Sequence, residues 1–238
     1  MRWYYLLLFF ISNPFFDILF DMKIKGFDID AVIFDLDGTL IDSNTVWEDI
    51  DKVFFGKRNI VIPDDFGDRI AHIGLQNAAI YVKETFGLPD SIESILKEWD
   101  DSARYMYENT IQLKQGAKEF IQKLKENGVL IAVATVNSPS LYKPCLKRLG
   151  VLDYFDYLTD VSVTKVGKGD NKMFALVSEK FQIRPGNTMV IEDIPTPLKT
   201  AYDNGYITVA IDDPSSVKMQ KDKEKYSYLY IKDFRDLL

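Results

Sequence analysis

Asp35-Leu36-Asp37-Gly38-Thr39-Leu40 places two carboxylates two positions apart in a short polar stretch. Such a pair on a turn can share one metal ion, and Gly38 can take a backbone geometry other residues avoid. Thr135 is followed by Val136-Asn137-Ser138-Pro139, in which Ser138 suits a helix cap and Pro139 a first helical turn. A hydroxyl there lies beside free backbone N–H groups, a combination that suits a phosphate. Gly167-Lys168-Gly169 brings a cation just ahead of another helical stretch, and Glu192-Asp193 adds a second acidic pair after an apolar run. Taken singly, Thr135 is an ordinary strand-end residue and Glu192-Asp193 an ordinary acidic first turn of a helix. Their chemical meaning comes from being gathered together.

The elements that could gather them follow from periodicity. Ala31 to Phe34 is a β-rich apolar run ending at Asp35, as a buried parallel strand does. Between Asn44 and about Asn109 the pattern is helical, broken at Pro63, Gly74, Gly87 and Pro89, with no convincing strand. From Ala117 it alternates as βα units: helix to Glu126, a turn at Asn127-Gly128, and a strand from Val129 to Ala134. Further strands are expected at Tyr157-Leu158, Met189 to Ile191, Ile207 to Ile211 and near Tyr228 to Ile231. Helices are expected around Asn171 to Phe181 and Leu198 to Asn204. This predicts an α/β fold with a doubly wound parallel-sheet, Rossmann-like core, interrupted after its first strand by an all-helical insert. In such sheets ligands bind outside the carboxyl ends of the strands, where all four polar motifs fall.

The 238-residue length accommodates one α/β domain and an inserted module. We expect a catalytic core over 22–42 and 113–238, a helical cap over 43–112, and an apolar leader or start-site artefact over 1–21. Arg2 followed by the apolar run Trp3 to Ile11 has the outline of a signal-peptide core. No small-residue cleavage site follows, Pro14 and Asp17 interrupt it, and Met22 offers a second start. A formal charge of −7 opposes nucleic acid and anionic lipid surfaces, so neither nucleic-acid binding nor stable membrane association is expected. The stretch Lys218 to Lys225 is interleaved with Asp222 and Glu224 and reads as a solvated face. One cysteine, Cys145, precludes an internal disulfide and a cysteine-based zinc site, which points to the cytoplasm and to an inert, buried thiol.

Through DLDGT at 35 to 39, the strand-end Thr135, Lys168 and the pair Glu192-Asp193, the sequence resembles the haloacid dehalogenase-like hydrolase superfamily. Within it the likeness is to the phosphatase and β-phosphoglucomutase-like branch with a helical cap. The resemblance implies that Asp35 is the nucleophile, forming an aspartyl-phosphate, and that Asp37 is the general acid and base. It implies Mg2+ held by Asp35, Asp193 and the backbone carbonyl of Asp37, with Glu192 as a ligand or just behind one. Lys168 and Thr135 would clamp the phosphoryl group, Asn137 would join them in binding substrate, and His72 and Gln76 of the cap would read the leaving group. The lysine context departs from the family's frequent Gly-Lys-Pro-x-Pro-Asp, since Gly169, Asp170, Asn171 and Lys172 follow Lys168, and Lys165 and Lys172 compete for the role. The implied function is a Mg-dependent phosphatase acting on a small phosphorylated metabolite, such as a sugar phosphate. The alternatives are a phosphosugar mutase, against which Trp47 stands where such mutases usually carry a histidine, and a non-catalytic phospho-ligand-binding module.

Overall fold

In the computed structural model, residues 22–43, 45–70 and 74–238 are described. The leader over 1–21 and His72 lie outside the described residues, and the readings placed on them stand as expectations only.

The chain enters through a small antiparallel hairpin, β1 (Lys23–Ile24) and β2 (Phe27–Asp28). The turn between them sets both Lys25 and Gly26 at positive φ, the geometry that matches the twist of a tight hairpin. The sequence reading did not anticipate this hairpin. β3 (Ala31–Phe34) follows, and then the helices α1 (Val46–Gly56), α2 (Phe66–Ile70), α3 (Gly74–Phe86) and α4 (Ile92–Asn109). Thereafter strands and helices alternate: α5 (Ala117–Glu126), β4 (Leu130–Thr135), α6 (Pro139–Arg148), β5 (Tyr157–Asp160) and α7 (Val161–Thr164). The chain continues through α8 (Lys172–Phe181), β6 (Thr188–Glu192), α9 (Pro195–Asp203), β7 (Ile207–Ile211), α10 (Gln220–Lys225) and β8 (Leu229–Ile231).

The larger sheet has six parallel strands in the order β5-β4-β3-β6-β7-β8. The chain builds outward from β3 on one side, then crosses back to build outward on the other, so the winding reverses at the β3/β6 neighbours. That reversal is where an open α/β sheet leaves a crevice at its carboxyl edge. Both faces are covered. Val32 and Phe34 meet Phe120, Ile121 and Leu124 of α5 on one side, while Ile33 meets Met173, Phe174 and Val177 of α8 on the other. Burial on both faces is why β3 is an unbroken apolar run instead of an alternating one.

The inserted helices have their own aromatic centre, with Phe55 edge-on to Phe54, Phe66 and Phe86, and Trp99 edge-on to Phe54. α4 carries this unit onto the core by packing against both α1 and α6. Its buried stripe, Ile95, Trp99, Ala103 and Tyr107, repeats at helical spacing and points at the carboxyl edge of the sheet. Among the described residues no helix is long and apolar enough to cross a membrane.

One sequence expectation is corrected by the fold. Lys223, read as part of a solvated basic stretch, is fully buried. Its ammonium donates to the Ile211 carbonyl (3.1 Å) and to Ser216 Oγ (2.9 Å), and burial lowers its pKa. The helical turn of α10 buries one lysine of the charged run, because an ammonium with carbonyl and hydroxyl acceptors can be accommodated inside.

Candidate active site

Asp35 leaves β3 at its carboxyl end, and its backbone N–H donates to the Ile191 carbonyl of the neighbouring β6 (3.0 Å). This pins the two strand ends together, so Asp35 and the residues after Ile191 must emerge side by side. Beyond Asp35 the chain turns tightly: the Leu36 carbonyl accepts from the N–H groups of Leu40 and Ile41, and Gly38 adopts φ 82°, which a side chain would strain. The turn brings Thr39 back across the crevice, where its hydroxyl donates to Asp193 Oδ1 (3.0 Å).

Carboxylate oxygens of Asp35, Glu192 and Asp193 all lie within 4.8 Å of one another, and all three residues are buried. Lys168, from the loop between α7 and α8, is buried as well and donates to both Asp35 Oδ1 and Glu192 Oε1. Lys165 and Lys172, its competitors in sequence, are exposed. The second Glu192 oxygen accepts from the N–H groups of Asp193 (3.0 Å) and Ile194 (3.2 Å). Glu192 therefore fixes both the lysine and the start of the following loop.

Three carboxylates against one ammonium leave surplus negative charge in a dry pocket. The shifted pKa values of its members follow from it. Glu192 and Asp193 are raised, first by burial and then by the Asp35 charge, and for Asp193 the Thr39 bond only partly opposes this. Burial alone would lower Lys168, but Asp35 and Glu192 outweigh it and hold the ammonium charged well above its ordinary range. An all-oxygen, anionic and buried donor set of this kind fits a hard divalent cation such as Mg2+.

Asp37 faces the other way. Its carboxylate lies outside the acidic cluster and accepts from Ser43 Oγ (2.7 Å), Asn137 Nδ2 (2.9 Å) and the hydroxyl of Tyr107. Asn137 Nδ2 also reaches the Tyr107 oxygen (2.7 Å). Burial, reinforced by the Asp35 charge, raises the Asp37 pKa despite these three bonds. A buried carboxyl with a raised pKa, fixed in place by three donors, is suited to giving and taking a proton.

Thr135, at the end of β4, is buried, and its Oγ1 accepts from the Asn137 N–H (3.0 Å), leaving its own hydroxyl proton to donate. Ser138 caps α6 and Pro139 begins it. Gln76 is exposed on α3 and does not line the cavity above Asp37, whereas its neighbour Leu75 does. Cys145 is buried in α6, and burial pushes its thiol up to about 11.

Ser43 and above all Tyr107 were not singled out from sequence, and Thr39 was read only as part of the DLDGT motif, without its bond to Asp193. The available signal for Tyr107 was its place on the apolar stripe of α4, four residues beyond Ala103 and eight beyond Trp99. Burial and the Asp37 charge raise its pKa, so the phenol stays protonated and donating. Tyr107→Phe should lower kcat on an aryl phosphate about tenfold with little change in KM, the cost of one lost bond to a buried carboxylate. An unchanged kcat would mean that Asn137 and Ser43 position Asp37 unaided.

Several known proteins are similar to this chain. A phosphorylated carbohydrates phosphatase from Thermotoga maritima is 24% identical over 177 residues, covering 74% of this chain and 82% of its own. Hexitol phosphatase B from Escherichia coli is 26% identical over 170 residues, covering 68% and 74%. Among solved structures, a β-phosphoglucomutase from Clostridium difficile superposes with a TM-score of 0.66 at 18% identity, covering 88% of this chain and 93% of its own, a likeness of fold. The family model for haloacid dehalogenase-like hydrolases matches residues 29–201, from just before β3 to the last turns of α9. This chain, with its doubly wound core and inserted helical cap, is a member of the haloacid dehalogenase-like hydrolase family.

Proposed function

We propose that the protein is a Mg2+-dependent phosphatase that hydrolyses a small phosphorylated metabolite through an aspartyl-phosphate on Asp35. The observation that carries this reading is the separation of two carboxylates from one turn into two environments. Asp35 lies with Glu192, Asp193 and Lys168, and Asp37 lies with Tyr107, Asn137 and Ser43. One is set among charges that can hold a phosphoryl group, the other among neutral donors suited to proton transfer.

In the first half-reaction an Asp35 carboxylate oxygen attacks phosphorus, and the bond to the leaving oxygen breaks as Asp37 delivers its proton there. In the second, Asp37 takes a proton from water as that water attacks the phosphorus of the aspartyl-phosphate, and Asp35 is released with inorganic phosphate. Splitting the displacement lowers each barrier, and one group serves as acid and then as base. Repulsion between carboxylate and phosphate dianion at ~4 Å amounts to about 8 kcal/mol at an effective dielectric near 20, so positive charge is required. Lys168 supplies part of it at the Asp35 oxygen, and the Thr135 hydroxyl donates to a phosphoryl oxygen. Asp35 and Asp193, the Asp37 carbonyl and, behind them, Glu192 would hold the Mg2+. When bound, the ion neutralises the remaining charge and orients the phosphoryl group. Thr39 keeps Asp193 turned toward that position. The helical cap closes over the strand ends, leaving a cavity in which a small leaving group fits and from which bulk water is limited.

Named relatives act on phosphorylated carbohydrates and hexitol phosphates, which supports a small phosphate monoester as the substrate. Purified protein should release phosphate from 4-nitrophenyl phosphate with added Mg2+ and stop when the ion is chelated. Inactivity on this ester and on a broad set of sugar phosphates, with Mg2+ present, would remove the assignment.

A further inference from the structure

The cavity above Asp37, about 460 Å3, is the space into which the leaving group must project if the phosphatase reading holds, and the inference rests on that reading. Its floor is polar: Asp37, Asn137 and Tyr107. Its walls are different. Trp47 from α1, Leu75 from α3, Leu96 and Trp99 from α4, and Val136 and Leu141 from the core side form an almost continuous apolar lining. Trp47, Leu75 and Val136 are substantially exposed in the cap–core structure, so apolar surface is available there for a ligand to cover.

Charge around this space is one-sided. No lysine, arginine or histidine lines the cavity among the described residues, while Asp37 and Asp100 both do. The nearby cations are engaged elsewhere. Arg104 pairs with Asp100 (3.1 Å) on the exposed face of α4, Lys97 pairs with Asp101, and Lys168 is held by Asp35 and Glu192 at the phosphoryl end. Arg148 spends its guanidinium on the carbonyls of Tyr107 and Ile111 beneath the floor. A second anionic group on the substrate would leave water for a wall of indole and aliphatic carbon, facing Asp37 and the Arg104-paired Asp100, with no lysine, arginine or histidine among the described lining residues to receive it.

We propose that the cavity selects phosphate monoesters whose leaving alcohol is neutral and presents an apolar face, an aromatic ring or the C–H face of a sugar, to Trp47 and Trp99. It discriminates against leaving groups that carry a second negative charge, such as bisphosphates, pyrophosphate and carboxylated monophosphates. Recognition is then by burial of ring surface over the acid/base carboxylate, and the unpaired anion is the rejected feature.

The matched test is phenyl phosphate against 4-carboxyphenyl phosphate, which differ by one charge remote from the reacting bond. With wild-type enzyme and Mg2+, kcat/KM should favour phenyl phosphate by about tenfold or more. Trp47→Ala, at a half-exposed position in the first turn of α1, should raise KM for phenyl phosphate several-fold and leave kcat largely unchanged. Equal kcat/KM for the two esters, or a preference for the carboxylated one, overturns the proposal, as does a Trp47→Ala enzyme with wild-type KM. Calorimetric binding of both esters to full-length Asp35→Asn protein separates this from the phosphatase reading. If the wild type turns over neither ester, nor 4-nitrophenyl phosphate, nor any of the sugar phosphates, that reading fails. The cavity assignment is then decided by affinity, with tighter binding of phenyl phosphate supporting it and equal binding overturning it.

Discussion

Asp35→Asn is expected to reduce phosphate release from 4-nitrophenyl phosphate by at least about 10⁴-fold, since the amide cannot form the acyl-phosphate and no other carboxylate is placed to replace it. Asp37 is turned away into its own hydrogen bonds, Glu192 is committed to Lys168 and two backbone N–H groups, and Asp193 is held by Thr39. The fold should survive the change. The backbone N–H of residue 35 still bonds Ile191, and the Asp35 charge is one of the causes that raise Glu192 and Asp193. Removing it relieves repulsion in the acidic cluster while taking one acceptor from Lys168, and these effects oppose each other. A thermal midpoint within a few degrees of wild type is therefore expected by circular dichroism. Wild-type turnover in Asp35→Asn would assign the nucleophile elsewhere.

Lys168→Met is expected to have two large effects. Loss of the ammonium at the phosphoryl end should lower kcat by about 10²- to 10³-fold, the scale of removing one charge-stabilising group from a dry site. It should also destabilise the fold at neutral pH by about 3–5 kcal/mol, because buried Asp35 and Glu192 lose their counter-ion. The pH dependence has a definite sign. The Lys168 pKa is raised in the folded protein, so its stabilising contribution is complete below the ordinary lysine range and is lost only in strong alkali. At pH 7 the whole contribution is at stake. In the variant, Glu192 is no longer drawn down by the ammonium, and a carboxyl whose folded pKa is raised stabilises fully only below its unfolded value, losing that stability as pH rises. Because wild-type Glu192 is itself raised to about 8, the deficit measured by urea unfolding should widen above that value and be larger at pH 9 than at pH 5. An equal deficit at both values would mean that lost packing of the lysine stem, not uncompensated charge, dominates.

The hydrogen bonds of Tyr107 and the burial of Lys223 mark where reading along the chain stops short. Both residues sit in helical stretches whose existence was legible, but which side chain of a helix turns inward depends on what it packs against. Tyr107 meets Asp37 across 70 positions of sequence, through an insert docked by α4 on α6. Among Lys165, Lys168 and Lys172 the local sequence offered three cations in one loop. Burial and the two carboxylates distinguish Lys168, which folding brings to partners 133 and 24 residues distant. The specificity loop placed at His72 and Gln76 rested on the family resemblance, and His72 lies outside the described residues. In space Leu75, Trp47 and Trp99 form the cavity wall while Gln76 faces outward.

The sequence by itself determined the order along the chain of the six strands of the main sheet, because an apolar run closed by Asp35 or by Glu192-Asp193 declares both a buried parallel strand and its carboxyl end within a few residues. It determined the acidic turn and the presence of a helical insert for the same reason, since periodicity and turn chemistry are local. Only the tertiary structure decided how charge is shared among Asp35, Glu192, Asp193 and Lys168, what holds Asp37, and that the leaving-group space is walled by apolar carbon. These are properties of groups far apart in the chain, and their energies depend on distance and on the exclusion of water, neither of which exists until the sheet has wound and the cap has closed over it.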